Sequence, residues 1–125
     1  MYHQLFSALK QIPGSSVKEH NKTKIDIRGK NVIRYPKKEE LDLICLFKPT
    51  NGSKKGIRFY VYPYILATHL HTDERTITAL VPSNAVAGPW RDGQHPGDRW
   101  IKGFFTNEEE VETFLNGIRS LYDRD

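Results

Sequence analysis

The chain alternates short apolar runs with polar punctuation, and the period of each run predicts its structure. Tyr2, Leu5, Phe6 and Leu9 recur at helical spacing, which predicts an amphipathic helix over residues 2–11, stopped by Pro13-Gly14. In KIDIR (24–28), Ile25 and Ile27 alternate with charged neighbours, as in a half-buried strand. Gly29-Lys30-Asn31 then allows a turn into a second strand, VIRY (32–35), which Pro36 ends. LDLICLF (41–47) is apolar on both faces, the mark of a central strand covered on each side. The turn after it carries Asn51-Gly52 and leads into IRFYVY (57–62), which predicts an antiparallel hairpin.

Residues 64–75 fit either a continuation of that strand past Pro63 or a short helix. TITALV (76–81) and WIKGFF (100–105) read as further strands, with Trp100 in the core. Between them, residues 82–99 contain three glycines and three prolines and show no periodicity. Ordered loops of that length are uncommon and often functional. Thr106 and Asn107 each find a glutamate three residues on, a capping-box spacing, and Glu108–Glu110 suit the positive end of a helix dipole. Val111, Phe114, Leu115, Ile118 and Leu121 then form one apolar stripe, best explained as a core face. Together these elements predict a single α+β domain spanning residues 1–125. Its antiparallel five- to six-stranded sheet would carry the N- and C-terminal amphipathic helices mainly on one face, leaving the other partly open.

Composition narrows the class. Apolar residues make up 38% and charged residues 27%, which fits neither a disordered nor a membrane chain. No run approaches the roughly 20 apolar residues of a membrane helix, and the first residues lack the layout of a signal peptide. Cys45 is the only cysteine, which excludes an internal disulfide and a Cys-rich zinc site. Inside an apolar strand it reads as a buried structural thiol. The expectation is a cytoplasmic protein without a membrane partner. The net charge of +4 is uneven: residues 18–58 carry +7, and residues 106–125 carry −4. Such asymmetry fits a basic face for a polyanion, or equally a solvated surface with counter-charges folded against it.

Strand alternation in 57–62 sends Ile57, Phe59 and Val61 one way and Arg58, Tyr60 and Tyr62 the other. If the first set faces the helices, two tyrosines and an arginine point outward beside a lysine-rich turn. Rings of this kind stack on exposed bases while neighbouring cations hold phosphates. The cations for that role are Lys30, Arg34, Lys37, Lys38, Lys54, Lys55 and Arg58. Trp90-Arg91, set among Gly88, Pro89, Gly93, Pro96 and Gly97, offers a second aromatic–guanidinium pair for a groove or a flipped base. The same tryptophan would equally serve to anchor its loop.

His69-Leu70-His71 places two imidazoles on one side if the segment is extended, so that both could hold one metal ion. This spacing resembles the histidine pair of HUH-type single-strand endonucleases. That resemblance implies a third polar ligand, for which His95, Asp73 or Glu74 are available, and a tyrosine nucleophile, for which Tyr122 is placed. The lysine that those enzymes usually carry three residues after the tyrosine is Asp125 here. A restriction-type magnesium site would pair Asp42 with an acid on the next strand, but residues 58–62 hold none. Phosphate-loop, dinucleotide-binding and nucleophile-elbow signatures do not occur. The leading expectation is a nucleic-acid-binding domain, an accessory or recognition module of a DNA- or RNA-processing system. The alternatives are a metal-dependent nuclease-like enzyme using the His-x-His pair, and a protein-interaction or regulatory module docking a partner or a second copy. No cofactor is singled out.

Overall fold

The computed structural model describes residues 1–20, 22–49, 56–88 and 95–123. Its elements in chain order are α1 (Tyr2–Leu9), β1 (Ser16–His20), β2 (Lys24–Lys30), β3 (Glu40–Phe47), β4 (Ile57–Val61), α2 (Pro63–His69), α3 (Glu74–Thr78), β5 (Val86–Ala87), β6 (Ile101–Phe105) and α4 (Glu108–Tyr122). A short 3-10 turn at Pro96–Asp98 precedes β6. The six strands form one antiparallel sheet in the order β1-β2-β3-β4-β6-β5, so the expected α+β class holds. None of the helices among the described residues is long and apolar enough to cross a membrane.

Alternation along the inner strands decides which face is covered. Ile25 and Ile27 of β2, Ile57, Phe59 and Val61 of β4, and Phe105 of β6 are buried with Leu5 and Leu9 of α1, Leu66 of α2, and Val111, Phe114 and Ile118 of α4. Phe59 and Phe105 lie 4.5 Å apart between ring centroids, and Phe105 and Phe114 lie 5.3 Å apart, so an aromatic column fastens the terminal helix to the sheet. The start of α4 is fixed by reciprocal capping. Asn107 Oδ1 accepts from the Glu110 amide at 2.9 Å, while Glu110 Oε1 accepts from the Thr106 amide at 2.7 Å.

A bulge between β2 and β3 matters for the other face. Ile27 pairs with Ile44, but Arg28 pairs with Asp42, so Leu43 is the extra residue. Leu43 and Ile44 are both fully buried, and the skipped position brings Asp42 opposite Arg28.

Several expectations are corrected. Residues 32–35 form no strand. The Asn31 carboxamide donates to the Tyr35 and Lys38 carbonyls at 2.6 and 2.7 Å and accepts from the Tyr35 amide at 3.0 Å. Its side chain replaces the ladder partners a strand would need, and Arg34 and Lys37 take left-handed φ values of 55° and 62°. The expected strand at 76–81 is instead helix α3, because Asp73 caps it by accepting from the Thr76 amide at 2.9 Å. Residues 63–69 are helical, with Pro63 at the first position where its missing N–H costs nothing. Trp100 is half-buried and lies outside the core cluster. Two strands, β1 and β5, were not expected at all.

Candidate nucleic-acid interface

The sheet face opposite the helices presents the alternate side chains of the same strands. Register places Lys24 opposite Phe47, Asp26 opposite Cys45, Cys45 opposite Tyr60, Arg58 opposite Phe104, and Tyr60 opposite Lys102. A run of rings and cations results. The Phe47 and Tyr60 ring centroids lie 5.8 Å apart, and those of Tyr60 and Trp100 lie 5.9 Å apart at 85°. The Arg58 guanidinium sits 4.7 Å from the Phe47 centroid and 5.4 Å from that of Tyr60, and it donates to the Tyr60 hydroxyl at 3.0 Å. Lys24 Nζ lies 6.0 Å from the Phe47 ring, and Lys102 Nζ lies 5.1 Å from that of Trp100. Arg58 and Lys102 are exposed, while Phe47, Tyr60 and Trp100 are half-exposed. Gly88 lets the indole lie flat on the backbone: a methyl there would sit 2.5 Å from Trp100 Cε2.

Beside this run lies a charge network. Asp26 is 1% exposed, yet it is ringed by bases. The His20 ring donates to Oδ2, Lys24 Nζ lies 3.3 Å from Oδ1, and Arg28 Nη2 lies 3.4 Å from Oδ2. Arg28 Nε also donates to Asp42 Oδ1 at 2.8 Å, which ties the two carboxylates together. Burial alone would raise the Asp26 carboxyl. Hydrogen bonds from the Cys45 thiol and the His20 ring, with the Lys24 ammonium, outweigh it and hold the group below the usual carboxylate range. Burial and the hydrogen bond to Asp26 push the Cys45 thiol far up, so it stays protonated and unreactive. Donor atoms of Asp26, Asp42 and Cys45 lie within 4.8 Å of one another, a spacing a metal could span. A divalent ion there would have to displace Arg28 and expel the thiol proton, so the donor set fits a neutralised polar network better.

The structure places the expected site residues unevenly. Arg58 and Tyr60 do project from the helix-free face, in the centre of the run. Tyr62 sits at the end of that face, where burial, then Cys45, Asp42 and Asp26, push its hydroxyl far up. Lys38 approaches the same end, 5.5 Å from the Tyr35 ring. Arg34 and Lys37 are exposed on the Asn31-ordered loop. Lys30 lies elsewhere, lining a cavity of about 800 Å³ with His69, His71 and Tyr122. Lys54, Lys55, Trp90 and Arg91 lie outside the described residues.

The histidine pair does not meet the condition set for it. His69 ends helix α2 and His71 follows at φ 58°, so no extended strand aligns the rings. His69 Nε2 lies 2.7 Å from the Pro13 carbonyl. Nδ1 packs over Gly29, where a methyl would stand 2.7 Å from it. Nε2 is thus engaged by a backbone carbonyl, and Nδ1 faces the Gly29 backbone.

Lys24, Phe47, Trp100 and Lys102 lie in the same run as Arg58 and Tyr60 and were not among the residues expected there. The signal was available. Residues 100–105 alternate as strictly as 57–62, with Ile101, Gly103 and Phe105 buried and Trp100, Lys102 and Phe104 on the other side. No known protein family, curated protein or solved structure matches the chain.

Proposed function

We propose that this protein binds single-stranded nucleic acid across the helix-free face of its sheet. The observation that carries the proposal is the run Lys24–Phe47–Arg58–Tyr60–Trp100–Lys102, in which each cation lies against a ring. Half-exposed aromatics on an open antiparallel sheet are suited to stacking on unpaired bases, and flanking cations to holding phosphates. The charge pattern supports this reading. The acids on that side, Asp26 and Asp42, are already matched by His20, Lys24 and Arg28. Among the described residues no ion pair joins the acids of α4 to the cations of the face. The role is recognition rather than cleavage, as an accessory module of a cytoplasmic DNA- or RNA-processing system.

Fluorescence anisotropy with labelled decathymidylate and decauridylate tests it. Binding at micromolar protein in about 50 mM salt should weaken linearly on a logarithmic scale as salt rises, by roughly 0.7 per phosphate contacted. No shift for either strand under those conditions would overturn the proposal. Self-association or capture of a protein in a manner indifferent to salt would instead support a protein-docking face.

A further inference from the structure

The aromatic run does not end at Trp100. It opens into a notch of about 270 Å³ whose walls include Tyr35, Lys38, Asp42, Tyr62, Asp98 and Trp100. Its chemistry differs from the rest of the face. Asp42 is matched by Arg28 and Asp98 is bonded to the Tyr35 hydroxyl, so the notch offers carboxylate acceptors beside its rings, where the rest of the face offers rings and cations. Asp42 Oδ1 accepts from Arg28, and Asp98 Oδ1 accepts from the Tyr35 hydroxyl. Neither Oδ2 has a hydrogen-bond donor among the described residues. Lys38, with its ammonium 5.5 Å from the Tyr35 ring, lines the same notch and supplies it with a donor.

We propose that the notch receives one base of the bound strand and selects guanine. The inference rests on the nucleic-acid reading above and specifies what that surface reads. Guanine presents N1–H and N2–H2 side by side, the donor pair a carboxylate accepts, and next to them O6, which accepts from an ammonium. Adenine and cytosine offer one amino group beside a ring acceptor. Uracil and thymine offer one N–H flanked by two carbonyls, which a carboxylate repels. The volume also fits: it falls below the roughly 300–1,000 Å³ of drug-sized ligand sites and suits one planar base between aromatic walls.

The test uses the full chain and decathymidylate strands carrying one central guanine, inosine, adenine or cytosine, with unsubstituted decathymidylate as reference. The guanine strand should bind about tenfold more tightly than the adenine strand, in line with one well-placed bidentate base contact. Inosine, which lacks the N2 amino group, should lose most of that gain. Asp98→Asn and, separately, Lys38→Met should erase the guanine preference, read on each variant as the ratio of its affinities for the guanine strand and for unsubstituted decathymidylate, a ratio that cancels the change each substitution makes to overall charge. Circular dichroism checks that each variant is folded. Equal affinity for all substituted strands would overturn the guanine assignment alone. A guanine preference that survives both substitutions would overturn the notch as its source. Failure of every strand to bind would remove this inference together with the proposed function.

Discussion

The Tyr60 ring stands edge-on to the Trp100 indole, with 5.9 Å between centroids and 85° between planes, on the face of the sheet that no helix covers. Tyr60 belongs to β4, and Trp100 immediately precedes the neighbouring strand β6, some forty residues further along the chain. The contact fixes both rings, so little side-chain entropy remains to be lost when a base packs against them.

Replacing Tyr60 by Ala should therefore weaken single-strand binding about tenfold or more, the equivalent of one base stack at roughly 1–3 kcal/mol. Tyr60→Phe keeps the ring and should bind nearly as the parent does. Tyr60 is half-exposed and its hydroxyl accepts from the exposed Arg58, so Tyr60→Phe should leave the melting temperature nearly unchanged, whereas Tyr60→Ala also loses the Phe47 and Trp100 contacts and should lower it. Anisotropy titrations beside thermal melts separate the two effects. Equal losses from Phe and Ala would mean that the hydroxyl, and not the ring, contacts the strand.

The cations make a separate prediction. Arg58 of β4 and Lys102 of β6 are exposed and carry no carboxylate partner among the described residues. Arg58→Gln and Lys102→Gln should each reduce the dependence of log affinity on log salt by about 0.7, one single-strand phosphate contact. Lys10, which follows α1 on the helix-covered side and lies 5.5 Å from the Phe6 ring, is the control, and Lys10→Gln should leave the slope unchanged. Titrations at four salt concentrations decide it.

On the helix side, Gly29 and His69 form a pair that stability measurements can isolate. A methyl group at Gly29 would stand 2.7 Å from His69 Nδ1 and 3.3 Å from Leu43 Cδ1. Gly29→Ala should cost about 1–3 kcal/mol through overpacking. His69→Ala should cost about 0.5–1.5 kcal/mol, the net worth of its hydrogen bond to the exposed Pro13 carbonyl, which water can replace. Combined, the two should cost clearly less than their sum, since removing the ring frees the space the methyl needs. Urea denaturation of both single variants and the double variant provides the cycle. Additive costs would show that the contact is not the source of strain.

Much of this architecture was legible before any coordinates, and the exceptions have physical causes. The stripes of α1 and α4 and the β3–β4 hairpin follow from periodicity because each element buries one clear face. The outward direction of Arg58 and Tyr60 follows from the same alternation. Strand β1 left no such trace: Ser16–Glu19 are all exposed, because an edge strand packs against nothing on its outer side. Residues 32–35 show the opposite problem. Their apolar content suggests a strand, but a single carboxamide, Asn31, satisfies the backbone locally. The closeness of Asp26 and Asp42 depends on a one-residue bulge, which no pattern in either strand announces. His69 and His71 carried a metal expectation only while the segment could be extended, and the helix that follows Pro63 removes that condition.

Asp26 supplies the pH prediction. The carboxyl is held below its usual range, so the unfolded chain takes up a proton at higher pH than the folded one. The stabilisation is therefore complete above the unfolded value, about 4, and is lost as pH falls through the lower folded value. Asp26→Asn removes the charge that His20, Lys24 and Arg28 surround, and at pH 7 it should cost about 3 kcal/mol, as for a broken buried pair. Part of the cost is recovered because Arg28 keeps its contact with Asp42. The gap between the parent and Asp26→Asn should narrow as the pH is lowered from 5 towards 2, because protonation of the parent imitates the substitution. Urea melts of both proteins across that range measure the gap. A gap that stays constant with pH would show that the carboxylate's charge does not carry its contribution, leaving only its shape and hydrogen bonds.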